Sequence, residues 1–432
     1  MSRALEGVVR GVGTEGDGAV VLADGSVVLT RNVLPGERVR IERVGRGHVQ
    51  RGRLDAVLEP SPGRVAPPCV YAAQCGGCPL MIATPMLVAE IKRERVRRAL
   101  GVDVALENPS QQLGYRHRAR LAFSRTDTRI ELGYRAESTR SIVDVERCLV
   151  LSPILETGLE MLRARVAPHL SGAGEIRIAI SRERPTLCIE SRDAQLPALY
   201  TMLEALVHEG VIAGAALLAG GASAAATFGD RWSETRDFEG RTLRAPLAGF
   251  AQAHAEHNRA LSAFAIDAAA PDGARVLELF AGHGNFTLAL ASRAETTTAV
   301  ELDAEATRCL AHNLETNGAK ARVITDDAAR VCAAIRRGTI DVVLLDPPRE
   351  GARDAMAPLV ALGPSRIAYV SCSPESLARD AGMLVAGGYT MTRARAFDMF
   401  PQTSHVEVVS LFERAGVGAR PSGPVAPERP RR

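Results

Sequence analysis

The sequence predicts a multidomain α/β protein with an OB-like β-barrel at the N-terminus, a central α+β domain and a C-terminal doubly wound, Rossmann-like sheet. Short β-branched runs separated by glycine-rich turns fill the first 58 residues, and strands alternate with helices from about residue 237 onward. At 432 residues the chain is too long for a single hydrophobic core.

We divide the chain into four segments. They are a barrel over residues 1–58, a central domain over 59–236, a doubly wound domain over 237–415 and a tail over 416–432. The tail is rich in proline, glycine and arginine, a composition that predicts disorder.

The N-terminal segment reads as a barrel because its strands are short and its turns are explicit. Asp24-Gly25, between the runs Gly18–Leu22 and Ser26–Leu29, is a hairpin signal. Barrels of this kind commonly bind oligonucleotides, and a barrel with no ligand is the alternative.

The chain has no features of a secreted or membrane protein. Arg3, Glu6 and Arg10 interrupt any apolar signal sequence, and the uncharged window 210–229 is rich in alanine and glycine, which favours a strand and a turn. We therefore expect a cytoplasmic monomer with no membrane partner. Its eight cysteines should be reduced, metal-bound or catalytic.

Three cysteines fall within ten residues, a spacing typical of metal ligands. Cys69, Cys75 and Cys78 would supply three thiolates, Cys148 is the best candidate for a fourth, and Cys188 is a reserve. Four-cysteine sites hold either iron–sulfur clusters or structural zinc, and the spacing alone does not decide between them.

A basic stretch follows this cysteine cluster. It begins with a helix from Glu90 to Leu100 whose surface we expect to be strongly basic. Arg116, Arg118 and Arg120 then alternate along a strand and share one face of it. The pattern predicts a phosphate-binding surface for nucleic acid, and an ordinary solvated face is the alternative.

The C-terminal segment places polar residues after four successive strands. The first strand, Ala274–Phe280, feeds a glycine-containing turn and a helix, and an acid ends the second strand about twenty residues later. The acids that end the second, third and fourth strands are Glu301, Asp326 with Asp327, and Asp346. Such an edge predicts a site for a nucleoside-type cofactor.

A cysteine lies at the end of a further buried strand. The apolar run Ile367–Val370 leads to Cys372, and Pro374 then opens a helix. A thiolate at this position is favoured by the nearby backbone N–H groups, whereas a small buried apolar residue is the commoner role of a cysteine.

These motifs together resemble those of the RNA uridine-5-methyltransferases, which use S-adenosylmethionine. The resemblance is carried by Gly282-His-Gly-Asn-Phe286, Asp346-Pro-Pro-Arg-Glu-Gly351, Tyr369-Val-Ser-Cys372 and Asp398–Glu407. It implies a class I methyltransferase fold, an N-terminal TRAM domain and, from the cysteine spacing of one branch of the family, a [4Fe–4S] cluster in place of zinc.

The resemblance also implies roles for individual residues. Cys372 matches the nucleophile and Glu407 the catalytic base. The residues that match cofactor contacts are Gln252, Phe280, Asn285, Glu301, Asp327 and Asp346. The chain departs from the family pattern at Ser373, Gln402 and His254, where the family usually has asparagine, histidine and asparagine.

The implied chemistry explains the residue types. Uracil C5 becomes nucleophilic once a thiolate adds at C6, and a carboxylate must remove H5 after methyl transfer so that the thiolate can leave. Because the target uracil must leave its stack, we expect single-stranded or loop RNA as substrate, in 23S rRNA by preference and in tRNA as the alternative. Methylation of an exocyclic amine and a non-catalytic RNA-binding iron–sulfur protein are the competing hypotheses.

Overall fold

The computed structural model describes residues 4–44, 49–126, 129–136 and 141–414. The segment 416–432, for which disorder is predicted, lies outside the described residues. Within these ranges no helix is long and apolar enough to cross a membrane.

The N-terminal segment forms the predicted barrel. Its strands are β1 (Leu5–Val12), β2 (Gly18–Leu22), β3 (Val27–Thr30), β4 (Arg38–Val44) and β5 (Arg51–Glu59). They close in the order β1-β2-β3-β5-β4 around inward-facing residues such as Val20, Val28 and Ile41, which are fully buried. Asp24-Gly25 makes the β2–β3 turn, as predicted, with Gly25 at a φ of 81°.

The middle of the chain forms a seven-stranded sheet with helices. The elements are α1 (Pro85–Leu100), β6 (Leu106–Glu107), β7 (Arg118–Arg125), β8 (Ile130–Arg135), β9 (Ile142–Asp144), α2 (Pro153–Met161), β10 (Ala173–Ser181), β11 (Arg184–Ser191), α3 (Pro197–His208), β12 (Gly214–Ala219) and β13 (Ala226–Gly229). The sheet order is β13-β12-β11-β10-β7-β8-β9, and one face packs on α2, α3 and a short π-helical turn, Leu162–Val166.

A two-stranded hairpin connects this sheet to the last part of the chain. Its strands, β14 (Trp232–Arg236) and β15 (Thr242–Pro246), pair in antiparallel register. The boundary predicted between residues 236 and 237 therefore falls in the turn of a hairpin. The main chain at Arg244 is also bound to Asn313 on a later helix, with N···Oδ1 2.8 Å.

The C-terminal part is the predicted doubly wound sheet. Its elements are α4 (Ala255–Ala269), β16 (Arg275–Leu279), α5 (Thr287–Arg293), β17 (Thr296–Glu301), α6 (Ala304–Thr316), β18 (Arg322–Thr325), α7 (Ala328–Ala334), β19 (Val342–Leu345), α8 (Arg353–Leu362), β20 (Arg366–Ser371), α9 (Pro374–Ala386), β21 (Tyr389–Phe397) and β22 (Glu407–Arg414). The strand order is β18-β17-β16-β19-β20-β22-β21-β6.

Helices cover both faces of this sheet, which explains why its strand β19 is apolar throughout. All four residues of β19 are buried, and β18, β17, β16, β19 and β20 run parallel. β22 is antiparallel to both of its neighbours, so its first residue, Glu407, meets the carboxyl ends of the parallel strands. The eighth strand, β6, comes from the segment assigned to the central domain.

Helix α1 differs from the predicted basic surface helix. Lys92 is fully buried and Arg95 is 8% exposed, and both point at the C-terminal part of the chain. Lys92 Nζ pairs with Asp398, and Arg95 forms a bidentate pair with Glu375, with Nη2···Oε2 2.7 Å. The prediction of a basic surface is wrong for the face that carries Lys92 and Arg95. The acids that pair with these two residues lie some 300 residues later in the chain.

Candidate functional site

One cavity brings the predicted cofactor and reaction residues together. It lies at the carboxyl ends of the parallel strands, has a volume of about 620 Å³ and is within the range of small-molecule sites. Its lining includes Gln252, Phe280, Asn285, Glu301, Asp327, Asp346, Cys372 and Glu407. The strand ends therefore converge as the alternation of strands and helices predicted.

The turn after β16 lines this cavity and has an unusual backbone conformation. Phe280 has a φ of 58°, in the left-handed region that large side chains rarely adopt. The turn presents the Gly282 N–H to Glu301 Oε2 at 2.9 Å, and Asp303 N–H donates to Glu301 Oε1 at 2.8 Å. Each oxygen of Glu301 keeps a lone pair that can accept a ribose hydroxyl.

Asp327 and Asn285 already have structural partners. Asp327 Oδ1 caps α7 by accepting from Arg330 N–H at 3.0 Å, which leaves its second oxygen for a ligand. The Asn285 amide is bound to Asn258 on α4, with Oδ1···Nδ2 2.9 Å. Its side chain therefore fastens the turn to α4.

Gln252 lies on the loop between β15 and α4. Its Oε1 is buried and has no hydrogen-bond partner among the described residues, which fits a ligand donor in the cavity. Two residues later, His254 Nδ1 accepts from His257 N–H at 3.4 Å and caps α4. Since asparagine is also a good helix cap, this departure from the family pattern preserves the local contact.

Arg118 holds the same loop in place. Its Nη2 donates to the carbonyls of Pro246, Leu247 and Gly249 at 3.4, 3.2 and 2.8 Å. Arg116 points at the cysteine cavity, and only Arg120 is exposed, paired with Glu175 at 2.6 Å. The predicted phosphate-binding face of three arginines is therefore wrong, since two of the three have internal positions.

Replacing Arg118 with glutamine should weaken cofactor binding, because the loop that carries Gln252 loses its three-carbonyl anchor. We expect the dissociation constant of the nucleoside-type cofactor to rise about tenfold. Arg120→Gln, on the same strand, is the matched control. An unchanged dissociation constant in Arg118→Gln would contradict this account of the loop.

Three groups that can lose a proton line the same cavity: Glu407 is buried, and Cys372 and Asp346 are half-buried. Burial raises the pKa of Asp346 to about 7. Burial, followed by the charge of Asp346, raises the pKa of Glu407 to about 8. The Cys372 pKa rises to about 12 through burial and then through the charges of Glu407 and Asp346. In the free protein the cysteine is therefore a thiol. The two neighbouring carboxyl groups lose their protons near neutral pH, well above the usual range for carboxylic acids.

The strand–helix junction around Cys372 forms as predicted. β20 is buried and ends at Ser371, and Ser373 Oγ caps α9 by accepting from Ser376 N–H at 3.3 Å. Serine and asparagine are equally good caps, so this departure also keeps the local structure. Buried Asp380 accepts from Tyr369 Oη and from Ala352 N–H, both at 2.7 Å, and so ties the strand to the loop after Asp346.

The loop between β21 and β22 leads to Glu407 and is held from three sides. Lys92 of α1 donates to the Phe400 carbonyl at 2.9 Å, and Arg95 donates to the Ser404 carbonyl at 2.8 Å. Leu80 N–H, next to the cysteine segment, donates to the Gln402 carbonyl at 2.9 Å. Ser404 Oγ donates to the Thr14 carbonyl of the barrel at 2.7 Å.

Sequence reasoning missed Lys92 and Arg95 as residues that support the site. A signal was present, because Lys92 follows Val88 and precedes Val96 by four residues, on the apolar face of α1. Gln402, where the family often has histidine, donates its amide to the Gln112 carbonyl. Arg349, in the motif that begins at Asp346, is paired with Glu15 of the barrel at 2.7 Å.

Four cysteines line a second, narrow and mostly apolar cavity: Cys69, Cys75, Cys78 and Cys148. Gly77 N–H donates to Cys75 Sγ at 3.4 Å. Cys188 lies on β11 with its sulfur 4.0 Å from Arg177 Nη1 and does not line this cavity, so the reserve ligand is excluded. In the described ranges no three Cys, His, Asp or Glu side chains are arranged to hold one metal ion.

The donor set of the second cavity fits a metal group that is held by thiolates. All four donors are thiols, a ligand set that iron–sulfur clusters and structural zinc sites both use, so the donors alone do not choose between the two.

Comparison with known proteins decides the family. The family model described as tRNA (uracil-5-)-methyltransferase matches residues 233–415. A 23S rRNA (uracil(1939)-C(5))-methyltransferase RlmD from Alkalilimnicola ehrlichii is 34% identical over 432 residues, covering 95% of this chain and 96% of the relative. The chain belongs to the RNA uracil-C5-methyltransferase family.

Further relatives of this family agree with that assignment. The RlmD of Pseudomonas entomophila is 35% identical over 422 residues, covering 92% of this chain and 91% of its own length. The crystal structure of the Pyrococcus abyssi tRNA (uracil-54, C5)-methyltransferase in complex with S-adenosyl-L-homocysteine has a TM-score of 0.75 and 22% identity. It covers 94% of this chain and 100% of that one. At 22% identity this comparison shows that the two chains share a fold and nothing more.

Proposed function

We propose that the protein transfers a methyl group from S-adenosylmethionine to C5 of a uridine in 23S rRNA. The observation that carries the proposal is the position of Cys372, Glu407 and Asp346 in the same cavity as the cofactor-edge residues. A thiol, a base and a nucleoside site in one cavity suit covalent activation of a pyrimidine.

Cys372 begins the reaction by bonding its sulfur to C6 of the uracil. Its proton passes to the carboxylate of Asp346, and Glu407 stays ionised so that it can accept H5 later. The electron pair of the C5–C6 double bond moves towards the C4 carbonyl, so the ring becomes an enolate that is nucleophilic at C5. When bound, S-adenosylmethionine supplies an electrophilic methyl group on a cationic sulfur.

Glu407 completes the reaction by accepting H5. Loss of this proton re-forms the C5–C6 double bond and expels the Cys372 sulfur from C6. The burial that raises the pKa of Glu407 makes its carboxylate a stronger base than an exposed glutamate. Arg349, on the rim next to Asp346, is placed to contact the target strand once Glu15 releases it.

The rate of methyl transfer should rise with pH between about 6 and 8 and level off above. Both acids of the pair have raised pKa values, about 7 and about 8, so they are protonated at low pH and cannot accept a proton. Single-turnover rates with saturating cofactor and RNA check this. Cofactor binding measured over the same range is the control, and a rate that is flat or falls with pH would contradict the assignment.

The RNA target is proposed on the names of the relatives. Near full-length relatives at 34% and 35% identity are named as 23S rRNA methyltransferases, whereas the tRNA enzyme is 22% identical. The target uracil must leave its stack to reach Cys372, which favours a loop. The N-terminal barrel, whose Thr14 and Glu15 lie beside the active-site loops, is proposed as a TRAM-like RNA-binding module.

We further propose that Cys69, Cys75, Cys78 and Cys148 hold a [4Fe–4S] cluster. The shared cavity and the all-thiol donor set support this. The reaction moves a methyl group and protons but no electrons, so a structural role suffices.

Mapping 5-methyluridine in the RNA of a deletion strain tests the proposed target. We expect the modification to be lost at a site in 23S rRNA and to return when the wild-type chain is expressed. Loss only in tRNA would show that the chemistry is right and the target is wrong. Unchanged 5-methyluridine in both RNAs would contradict the proposed function.

A further inference from the structure

Arg116 is a cation at the wall of the cysteine cavity. It lines that cavity together with the four cysteines. Its Nε donates to Tyr115 Oη at 3.4 Å, and no carboxylate of the described residues pairs with its guanidinium. A partly buried cation without a counter-charge is costly, so the cavity is suited to an anionic occupant.

The position of Arg116 relative to Cys148 is fixed by the main chain. Arg116 N–H donates to the Val150 carbonyl at 2.8 Å, and Ser152 N–H donates to the Arg116 carbonyl at 3.0 Å. Val150 is two residues after Cys148. The main chain of Arg116 is therefore fixed to the segment that follows Cys148, one of the four proposed ligands.

The second contact of Arg116 is with the loop that leads to the catalytic base. Its guanidinium carbon is 5.4 Å from the centroid of the Phe400 ring and 5.8 Å from that of Tyr115. Phe400 also packs in one apolar cluster with Cys69, Cys78 and Cys148. Arg116 thus lies between the cavity and the β21–β22 loop.

We propose that Arg116 is the counter-cation of the iron–sulfur cluster and that, through Phe400, it positions the loop that carries Glu407. The proposal rests on the cluster assignment made above. Four thiolates carry more negative charge than an oxidised four-iron cluster carries positive charge, so the assembly is anionic. An adjacent guanidinium offsets that charge where water is scarce.

The positioning role follows from where the loop is held. Arg116 contacts it at Phe400, and Leu80, two residues after Cys78, binds the Gln402 carbonyl at 2.9 Å. Glu407 begins β22 five residues later. Occupancy of the cysteine cavity therefore stiffens two points of the segment that sets the position of the base.

The test compares Arg116→Gln with Arg116→Lys, which keeps the charge, and with Arg120→Gln, an exposed arginine four residues later on β7. Each full-length protein is purified without oxygen, and iron per chain and the visible absorbance are measured before and after exposure to air. We expect Arg116→Gln to lose the absorbance about tenfold faster than wild type. Arg116→Lys and Arg120→Gln should stay near the wild-type rate.

A second measurement addresses the loop, with Phe400→Leu as an independent variant should Arg116→Gln fail to fold. In single turnovers with labelled RNA, Phe400→Leu should keep its iron and its RNA affinity. Its release of methylated RNA from the protein should slow about tenfold, because Glu407 is less well placed to accept H5. The covalent adduct should accumulate, which a loss of RNA binding would not produce.

Several outcomes would overturn the proposal. Arg116→Lys losing iron as fast as Arg116→Gln would show that charge is not what matters. Unchanged iron with weaker and less salt-dependent RNA binding in Arg116→Gln would make Arg116 a phosphate contact. Normal product release in Phe400→Leu would remove the positioning role. Wild-type protein without iron would refute the cluster, whereas wild-type protein without 5-methyluridine formation would refute the proposed function separately.

Discussion

Cys372→Ala should abolish methyl transfer to uridine while leaving cofactor binding intact. Uracil C5 does not attack a methyl group unless a nucleophile has added at C6, and Cys372 is the thiol in the cofactor cavity. Loss of a covalent nucleophile lowers turnover by about 10⁴-fold or more. Transfer of labelled methyl to RNA measures the effect.

Cys309→Ala is the matched control for this experiment. Cys309 lies on α6, outside the lining of the cofactor cavity, and its replacement should leave activity unchanged. Retained methylation in Cys372→Ala would refute covalent catalysis and would favour methylation of an exocyclic amine, which needs no thiol. The exposed Arg349 after the two prolines, paired with Glu15, already argues against that alternative, which calls for an aromatic residue there.

Glu407→Gln should trap the reaction after methyl transfer. Glutamine cannot accept H5, so the C5–C6 double bond does not re-form and the Cys372 sulfur stays bonded to C6. We expect turnover to fall by about 10²–10⁴-fold. A protein–RNA adduct that survives denaturing electrophoresis should carry the labelled methyl group.

Glu413→Gln provides the comparison for this variant, because Glu413 lies on the same strand, β22, away from the cavity. It should turn over normally and accumulate no adduct. Free methylated RNA released by Glu407→Gln at the wild-type rate would show that another group removes H5. Asp346, in the same corner of the cavity, would then be the next candidate.

The sequence was most informative where chemistry and secondary structure coincide. Glu301 ends a strand, Asp346 and Cys372 each directly follow one, and parallel strands bring such residues to one edge. The hairpin at Asp24-Gly25 is likewise a local feature that a short stretch specifies. The barrel and the doubly wound sheet were predictable for these reasons.

Long-range contacts account for what the sequence did not reveal. Lys92 looked like a solvated charge because its partner, Asp398, is 306 residues away. Arg118 looked like a phosphate ligand, yet its three acceptors are main-chain carbonyls that leave no trace in the sequence. A charge pattern alone therefore does not distinguish a buried anchor from a nucleic-acid contact.

Long-range contacts also limit how well domain boundaries can be predicted from the sequence. The β14–β15 hairpin spans the predicted boundary at residue 236, and β6 joins the C-terminal sheet from a segment more than 100 residues before that boundary. Both are short pieces of strand whose partners are set by tertiary packing. Local composition changes near these positions but does not report which sheet the strand joins.

The most direct test of the central claim uses purified wild-type protein, S-adenosylmethionine with a labelled methyl group, and separate 23S rRNA and tRNA substrates that lack modification. Nucleoside analysis of the products identifies the methylated base. The account predicts that the label appears as 5-methyluridine in 23S rRNA and that Cys372→Ala yields none. Label in an exocyclic amine, or 5-methyluridine formed without Cys372, would contradict it.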